Sequence, residues 1–316
     1  MLKIVFMGTP EFALPSLDML VREGHEIAAV VTQPDKPKGR GQKLCCPPVK
    51  EYADKNGIIV LQPYKVKTPD FIYSIKALEP DLLVTAAYGK ILPLEILNIP
   101  KYGCINVHAS LLPEYRGAAP INWAIINGEL KTGVTTMLTD IGMDTGDILL
   151  KKEMNIPDDM IAGELHDKLA VFGAECLKET LAKLKDNTLY RIPQQHEKAS
   201  YAPMLKKDVG LISWGKPSRE IHNLVRGTNP WPVAYTFYKE KRVKIWKTQT
   251  ELRLENENDA CYDAYQPGTI CKRDKDGIFV KCGEGFIKIL ELQFDGCRKL
   301  CSDECWHNFE SGESLG

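Results

Sequence analysis

Short, continuous apolar runs alternate with helix-like segments through the first half of the chain. Four of these runs, KIVFMG, EIAAVVTQ, DLLVTAAY and GCINVHAS, have the length and composition of buried strands. Strands that are apolar on both faces are typical of a parallel sheet with helices covering both of its sides. The alternation therefore predicts an α/β domain, in which ligands bind at the carboxyl ends of the strands. The turn after the first strand, GTPEF, has a single glycine, which disfavours a dinucleotide site.

The pattern changes in the second half. A helical segment at about 162–185 is followed by polar, irregular sequence, and then by VAYTFYKEKRVKIWKTQ and GTICKRDKDGIFVKCGEGFIKILELQF. These stretches predict short strands joined by turns at Lys239-Glu240 and at Asp276-Gly277. Closely spaced strands with little helix indicate a small β-barrel or meander. We expect one domain at residues 1–188, a linker at 189–206 and a second domain at 207–316.

The sequence predicts a cytoplasmic protein without a membrane partner. Its apolar runs fall short of the roughly 18 to 20 residues that span a bilayer, and its N-terminal strand is too short for a signal peptide. Ten cysteines in a chain of this length indicate reduced thiols rather than a disulfide framework. Cys297, Cys301 and Cys305 are spaced by four, which predicts one face of a helix rather than a zinc site. We therefore expect no metal.

The net charge of −1 hides an uneven distribution. Residues 206–250 carry ten Lys or Arg against three acids, and residues 251–316 carry eight against fourteen. Residues 33–50 carry five basic residues against Asp35 alone. A single basic segment is ordinarily a solvated surface, but two separate basic regions favour a polyanionic partner.

The stretch GCINVHASLLPEYRGAAPI ends an apolar strand with Asn106 and His108. Residues two apart in a strand point to the same side, so these two side chains share a face at the carboxyl end. Asp144 follows in the glycine-rich segment DIGMDTGDI. An amide, an imidazole and a carboxylate can stabilise an oxyanion and move one proton. From the residues alone, a hydrogen-bonded structural His and a turn-capping Asp remain open alternatives.

Several long motifs together resemble the methionyl-tRNA formyltransferase family, namely FMGTPEFALPSL, TQPDKPKGRGQKL, AYGKILP, GCINVHASLLPEYRGAAPINWAIINGE, TGVTTMLTDIGMDTGDIL and NPWP. The resemblance runs from Met1 to about Trp246. It implies a Rossmann-like catalytic domain followed by an OB-like β-barrel. It also implies formyl transfer from 10-formyltetrahydrofolate to the α-amino group of methionyl-initiator tRNA, through a tetrahedral intermediate and without a metal.

The same resemblance implies roles for individual residues. The catalytic residues would be Asn106, His108 and Asp144. The folate would be bound by the turn Ser110, Leu111, Leu112 and Pro113 and by Tyr88, Ile91, Leu92 and Asp140. The tRNA would be bound by the basic loop with Lys38, Arg40 and Lys43, and by Lys207. We expect the protein to act as a monomer.

Some positions depart from the family pattern. Glu114 stands where a basic residue is common, Asn122 stands where Gln is common, and the tail has extra cysteines. None of these positions is in the catalytic trio. The alternatives are a folate-dependent N-formyltransferase acting on a small amine, such as a nucleotide or amino-sugar, and a nucleic-acid-binding protein without activity. A small-amine enzyme would not need the basic loop, and intact catalytic residues disfavour an inactive protein.

Overall fold

The computed structural model describes residues 1–38, 43–252 and 265–316, with only the backbone of Lys38 and Lys43. The chain forms two compact units. Unit 1 comprises Met1–Pro120, Lys131–Asn155 and His166–Pro203, and unit 2 comprises Ile121–Leu130, Ile156–Leu165 and Met204–Gly316. Residues 189–203, at the start of the expected linker, belong to unit 1.

Unit 1 is an α/β structure. Its strands are β1 (Lys3–Gly8), β2 (Glu26–Val31), β3 (Lys36–Lys38), β4 (Lys43–Cys45), β5 (Val60–Leu61), β6 (Leu82–Ala86), β7 (Cys104–His108), β8 (Arg116–Gly117), β9 (Lys131–Leu138), β10 (Ile148–Asn155) and β11 (Tyr201–Ala202). The helices in this part of the chain are α1 (Leu14–Arg22), α2 (Pro48–Lys55), α3 (Pro69–Ala77), α4 (Leu94–Leu97), α5 (Pro120–Ile126) and α6 (Ala162–Lys185).

Seven strands form the central sheet, in the order β10-β9-β7-β6-β1-β2-β5. The pairs β7/β6, β6/β1, β1/β2 and β2/β5 are parallel. β9 is antiparallel to β7, and β10 is antiparallel to β9. The predicted parallel sheet is therefore confirmed for five strands, and an antiparallel pair extends one edge. β7, which carries Asn106 and His108, lies where the strand direction changes.

The burial of each strand follows its position in the sheet. All five residues of β6 are buried, because helices cover both faces of a central strand. In β10 the residues alternate between exposed and partly buried from Leu150 onward, as expected for an edge strand with charged residues on its solvent face. On one side of the sheet, Phe71 and Ile75 of α3 pack against Val5, Met7 and Leu83.

The described parts of the basic segment, residues 36–38 and 43–45, contain more regular structure than expected. Prolines and glycines predict an irregular loop, but β3 and β4 pair as an antiparallel ladder in a sheet of their own. Pro37 has no backbone N–H to donate. It is tolerated here because each strand of a two-stranded ladder has an outer edge at which no N–H donor is needed. Asp35 accepts hydrogen bonds from Lys50 Nζ at 2.8 Å and from Gln62 Nε2 at 2.7 Å. These contacts attach the start of the hairpin to α2 and to the segment after β5.

Unit 2 is built mainly from antiparallel strands. They are β12 (Ala234–Tyr238), β13 (Lys241–Glu251), β14 (Ile270–Asp274), β15 (Gly277–Lys281), β16 (Phe286–Phe294) and β17 (Leu300–Cys301). The path of the sheet is β12-β13-β16-β15-β14, and β17 pairs with β16. Helix α7 (Ser218–Gly227) places Ile221 and Val225 in the core that the inward side chains of this sheet form. The predicted fold class is confirmed.

Both predicted hairpin turns of unit 2 are present. Lys239 and Glu240 have positive φ angles of 47° and 64°, which match the twist of a two-residue hairpin. The second turn lies at Lys275 and Asp276, one residue earlier than predicted. Asp274 Oδ1 accepts the backbone N–H groups of Asp276 and Gly277, and this local capping sets the turn's position.

The cysteine-rich tail does not form the predicted helix face. Cys301 ends β17, Cys305 ends a one-turn helix (Ser302–Cys305), and Cys297 lies in the bend after β16. The prediction of a shared helix face is wrong because the helix begins only at Ser302. Cys305 is buried, and Cys297 and Cys301 are exposed free thiols.

Among the described residues, no helix combines the length and the apolar content that are needed to cross a bilayer.

Candidate active site

Asn106 lies near the carboxyl end of β7 with its side-chain amide already oriented. Thr85 of β6 is its partner in the parallel register, and the Thr85 hydroxyl donates to Asn106 Oδ1 at 2.8 Å. The Thr85 hydroxyl thus occupies the side-chain oxygen of Asn106. The Nδ2 group on the other side of the amide remains as a donor for a ligand. The side chain is half-buried. Asn106 is therefore a hydrogen-bond donor held in one orientation at the carboxyl end of the parallel strands, which is where ligands bind in sheets of this type.

His108 is two residues further along and is 6% exposed. Its Nε2 lies 3.0 Å from the carbonyl oxygen of Tyr115. A carbonyl can only accept, so Nε2 carries the hydrogen, and the neutral ring has its lone pair on Nδ1. Nδ1 lies 3.7 Å from Asp144 Oδ2. The imidazole can thus receive a proton on the side that faces a carboxylate.

Asp144 is brought to His108 by the segment between β9 and β10. It has a φ angle of +53°, and its Oδ2 accepts the backbone N–H of Gly117 at 2.8 Å. The preceding turn is closed by Asp140, whose Oδ1 accepts from Gly142 N and from Thr145 Oγ1. The structure therefore brings His108 and Asp144 together although 35 residues separate them.

The expected folate turn follows β7 directly. Ser110 and Leu112 are buried, and Leu111 and Pro113 are half-buried. The Ser110 hydroxyl donates to the Glu114 carbonyl at 2.6 Å. Thr135 Oγ1 donates to the Ser110 carbonyl and accepts from Leu112 N. These bonds occupy the hydroxyl and the carbonyl of Ser110, and Leu111 and Pro113 are the more exposed side chains of the turn.

The other expected folate residues differ in exposure. Tyr88 and Leu92 are buried, and Ile91 is 57% exposed. Asp140 is half-buried and is engaged in the turn described above. Burial raises the pKa of the Tyr88 phenol to about 12, and its hydroxyl has no hydrogen-bond partner among the described residues. An unpaired buried hydroxyl fits a site that binds a polar ligand.

The expected tRNA contacts fall largely outside the described residues. This holds for Arg40 and for the side chains of Lys38 and Lys43. Lys207 is described and is exposed in a short 3-10 turn (Lys207–Gly210). The structure therefore leaves the basic loop as a sequence-based expectation.

Two residues of the site were missed by the sequence analysis. Arg116 and Gln194 are buried at 2% and 7% exposure. Arg116 Nη2 donates to Gln194 Oε1 at 2.6 Å, and Gln194 Nε2 donates to the carbonyl of Asp144 at 2.9 Å. Gln194 lies in the polar stretch RIPQQH, which has no pattern that distinguishes it from a linker.

Comparisons with known proteins agree with this architecture. The family model described as "Formyl transferase" matches residues 2–181, and "Formyl transferase, C-terminal domain" matches residues 204–310. The methionyl-tRNA formyltransferase of Acetivibrio thermocellus is 65% identical over 100% of both chains. Those of Ruminiclostridium cellulolyticum and Clostridioides difficile are 56% and 52% identical, again over 100% of both chains.

Solved structures are similar in fold at lower identity. A sugar 3N-formyl transferase determined in the presence of dTDP and 5-N-formyl-THF has a TM-score of 0.67 at 22% identity, covering 94% of this chain and 99% of that one. An N-formyltransferase from Helicobacter canadensis, in complex with folinic acid and dTDP-3-aminofucose, has a TM-score of 0.67 at 21% identity. That match covers 95% of this chain and 100% of the other.

Proposed function

The chain belongs to the methionyl-tRNA formyltransferase family, and we propose that it formylates the α-amino group of methionyl-initiator tRNA. The formyl donor in this proposal is 10-formyltetrahydrofolate, which acts as a co-substrate and supplies an activated formyl carbon. The observation that carries the proposal is the His108–Asp144 pair, which lies next to the Asn106 donor at the carboxyl end of β7.

Asn106 would stabilise negative charge. When the amine attacks the formyl carbon, the formyl oxygen becomes negative and needs a donor that is already in place. The Asn106 amide is oriented by Thr85, so it does not have to reorganise at the moment of reaction. Removing one such donor typically costs about 10² to 10³ in rate.

His108 would accept the proton that the attacking amine loses. The hydrogen bond of Nε2 to Tyr115 leaves Nδ1 as the basic atom of the neutral ring. Asp144 Oδ2 would then stabilise the resulting imidazolium across 3.7 Å. The Gly117 N–H donates to this same oxygen, which fixes the direction of the carboxylate. Collapse of the tetrahedral intermediate would then break the bond between the formyl carbon and the folate nitrogen, which would leave with the proton held by His108, so a covalent enzyme intermediate is not required.

The folate and tRNA contacts are part of the proposal. Segments 88–92 and 110–113 would hold the folate, and the unpaired Tyr88 hydroxyl supports a polar ligand there. Lys38, Arg40, Lys43 and Lys207 would bind tRNA. We propose residues 1–188 as the catalytic domain, 207–316 as the tRNA-binding domain and 189–206 as the segment that links them, of which residues 189–203 pack within unit 1. We further propose a cytoplasmic monomer.

One assay tests the function. Purified protein is incubated with 10-formyltetrahydrofolate and with methionyl-initiator tRNA, or with amino-sugar nucleotides and free methionine as competing acceptors. We expect formyl-methionyl-tRNA as the product, and a value of kcat/KM for the small amines that is lower by a factor of about 100 or more. The reason is that a substrate without the polar groups that a site recognises is discriminated against by a factor of this size or larger. Preferential formylation of a small amine would replace this proposal with the small-amine alternative.

A further inference from the structure

Gln194 is buried in unit 1 and contacts the backbone on both sides of Thr145. Its Nε2 lies 2.9 Å from the carbonyl oxygen of Asp144 and 2.7 Å from that of Gly146. Both hydrogens of the amide group are thus donated to the segment that carries the Asp144 carboxylate. A single side chain, 50 residues away in the sequence, holds two carbonyl groups of this segment.

The direction of the Gln194 amide is set by Arg116. Nε and Nη2 of Arg116 lie 3.1 Å and 2.6 Å from Gln194 Oε1. A guanidinium can only donate, so the atom that it contacts is the oxygen, and the nitrogen must face the two carbonyls. Arg116 Nη2 also lies 3.1 Å from Nδ1 of His196. Because Arg116 and Gln194 are both buried, the two contacts between them lie out of solvent and resist rotation of the amide.

Arg116 also lies between the two residues whose backbone contacts the catalytic pair. Tyr115 accepts from His108 Nε2, and Gly117 donates to Asp144 Oδ2. The segment is fixed in turn by the pairing of β8 with β11, in which Arg116 is opposite Tyr201. The contacts form a closed loop that runs from His108 through residues 115–117 to Asp144 and Gln194.

The Asp144 segment needs such support. A φ of +53° is uncommon for any residue with an L side chain, although Asp adopts it more readily than most, and such conformations persist where the surroundings hold them. At Gly146 an added Cβ would lie 1.7 Å from the Leu138 carbonyl oxygen, so the backbone also passes very close to β9. Without its two carbonyl contacts, the segment would relax and the carboxylate would move.

We propose that Gln194 is a positioning residue for formyl transfer, which holds Asp144 so that its carboxylate faces His108 Nδ1. This inference rests on the proposed function. Gln194 does not touch the reacting atoms in this scheme. It acts through Asp144, and its effect on rate should therefore depend on the presence of the Asp144 carboxylate.

The primary test is Gln194→Glu. The variant keeps the size of the side chain and the acceptor for Arg116, but it places an oxygen against the two carbonyl oxygens. We expect kcat for tRNA formylation to fall about 10- to 100-fold, the range that a displacement of about 1 Å produces, with KM for the formyl donor unchanged. The matched control is Gln195→Glu, which adds the same charge at the exposed neighbouring residue and should leave kcat at the parent value.

A double-mutant cycle separates positioning from general damage. Gln194→Glu is introduced into Asp144→Ala, and formyl transfer is measured in single-turnover reactions. If Gln194 acts through Asp144, the further loss should be less than about 2-fold, because residues that act as a unit are not additive. An equal loss in both backgrounds, or no loss in the parent background, would overturn the inference. Gln194→Ala, which removes all the amide contacts, is the second variant for the same cycle.

A structural readout does not depend on activity. Hydrogen exchange of the Gly117 amide, which donates to Asp144 Oδ2, should become at least 10-fold faster in Gln194→Glu and stay unchanged in Gln195→Glu. Unchanged exchange at Gly117 would refute the positioning role. A parent protein that does not formylate tRNA would refute the proposed function instead, whereas an active parent without the expected non-additivity would refute this inference alone.

Discussion

Replacing Asp144 by Asn removes the charge that faces His108 and preserves much of the local geometry. The Asn side chain keeps an oxygen that can accept the Gly117 N–H, and Asn is among the residues that best tolerate the positive φ of this position. A loss of activity would therefore report on the missing charge rather than on misfolding.

The size of the loss follows from the distance between the two groups. His108 Nδ1 and Asp144 Oδ2 are 3.7 Å apart, with side chains 7% and 17% exposed. At this separation a carboxylate stabilises an imidazolium by about 1 kcal/mol in bulk water, and by about 4 kcal/mol at an effective dielectric constant of about 20. Each 1.4 kcal/mol or so is a factor of ten in rate. We expect kcat to fall about 5- to 1000-fold, closer to the upper value because the pair is largely buried.

The assay is single-turnover formylation of methionyl-initiator tRNA, with folate binding and thermal unfolding measured in parallel. Folate affinity and Tm should stay near the parent values. Glu114→Gln is the matched control, because it removes one exposed carboxylate from the turn that follows His108 and should leave kcat unchanged. The reasoning fails if Asp144→Asn retains near-full activity, or if the control loses as much.

Four further outcomes follow from the same structure and sequence. Asn106→Ala should lower kcat by about 10² to 10³ with a normal circular dichroism spectrum, and a loss under fivefold would exclude the proposed donor role. Gly146→Ala should lower kcat at least 10-fold, because its Cβ cannot fit against Leu138, and an active variant would show that the segment can move without cost. Arg40→Leu, at a position outside the described residues, should weaken tRNA binding. It should also make the slope of log affinity against log salt concentration shallower by about one, because one phosphate contact is lost, and binding titrations at several salt concentrations measure this slope. Burial lowers the pKa of His222 from its usual value of 6.5, so the unfolded chain takes up a proton on this residue before the folded protein does. The free energy of unfolding is therefore highest above pH 6.5 and decreases as the pH falls below it. Thermal unfolding at pH 7.5 and 5.5 should show this decline, and it should be smaller in His222→Gln.

Several features of the fold could be predicted because they depend on local sequence. The apolar runs of β1, β2, β6 and β7 and the long helix α6 are determined by side-chain periodicity and by what can be buried. The two-residue turns of unit 2 depend equally on short-range preferences. The direction of the strands at the edge of the central sheet could not be predicted from local sequence. Whether β9 runs parallel or antiparallel to β7 depends on pairing across more than twenty residues of intervening chain, for which the apolar pattern is the same.

The site divides in the same way. The period of a strand places Asn106 and His108 on one face of β7, and the resemblance of the motif around Asp144 to the formyltransferase family implies Asp144 as the third candidate residue. The sequence by itself thus determines the chemistry that is available, because residue types and strand period are local properties. Arg116 and Gln194 could not be found in this way, since they are 78 positions apart and Gln194 lies in a polar stretch that resembles a linker. Their contact exists only because the chain after α6 returns to β8 and pairs with it. The tertiary structure alone decides which donors and acceptors are buried together, since most buried polar groups take their partners from whichever part of the chain the fold brings near.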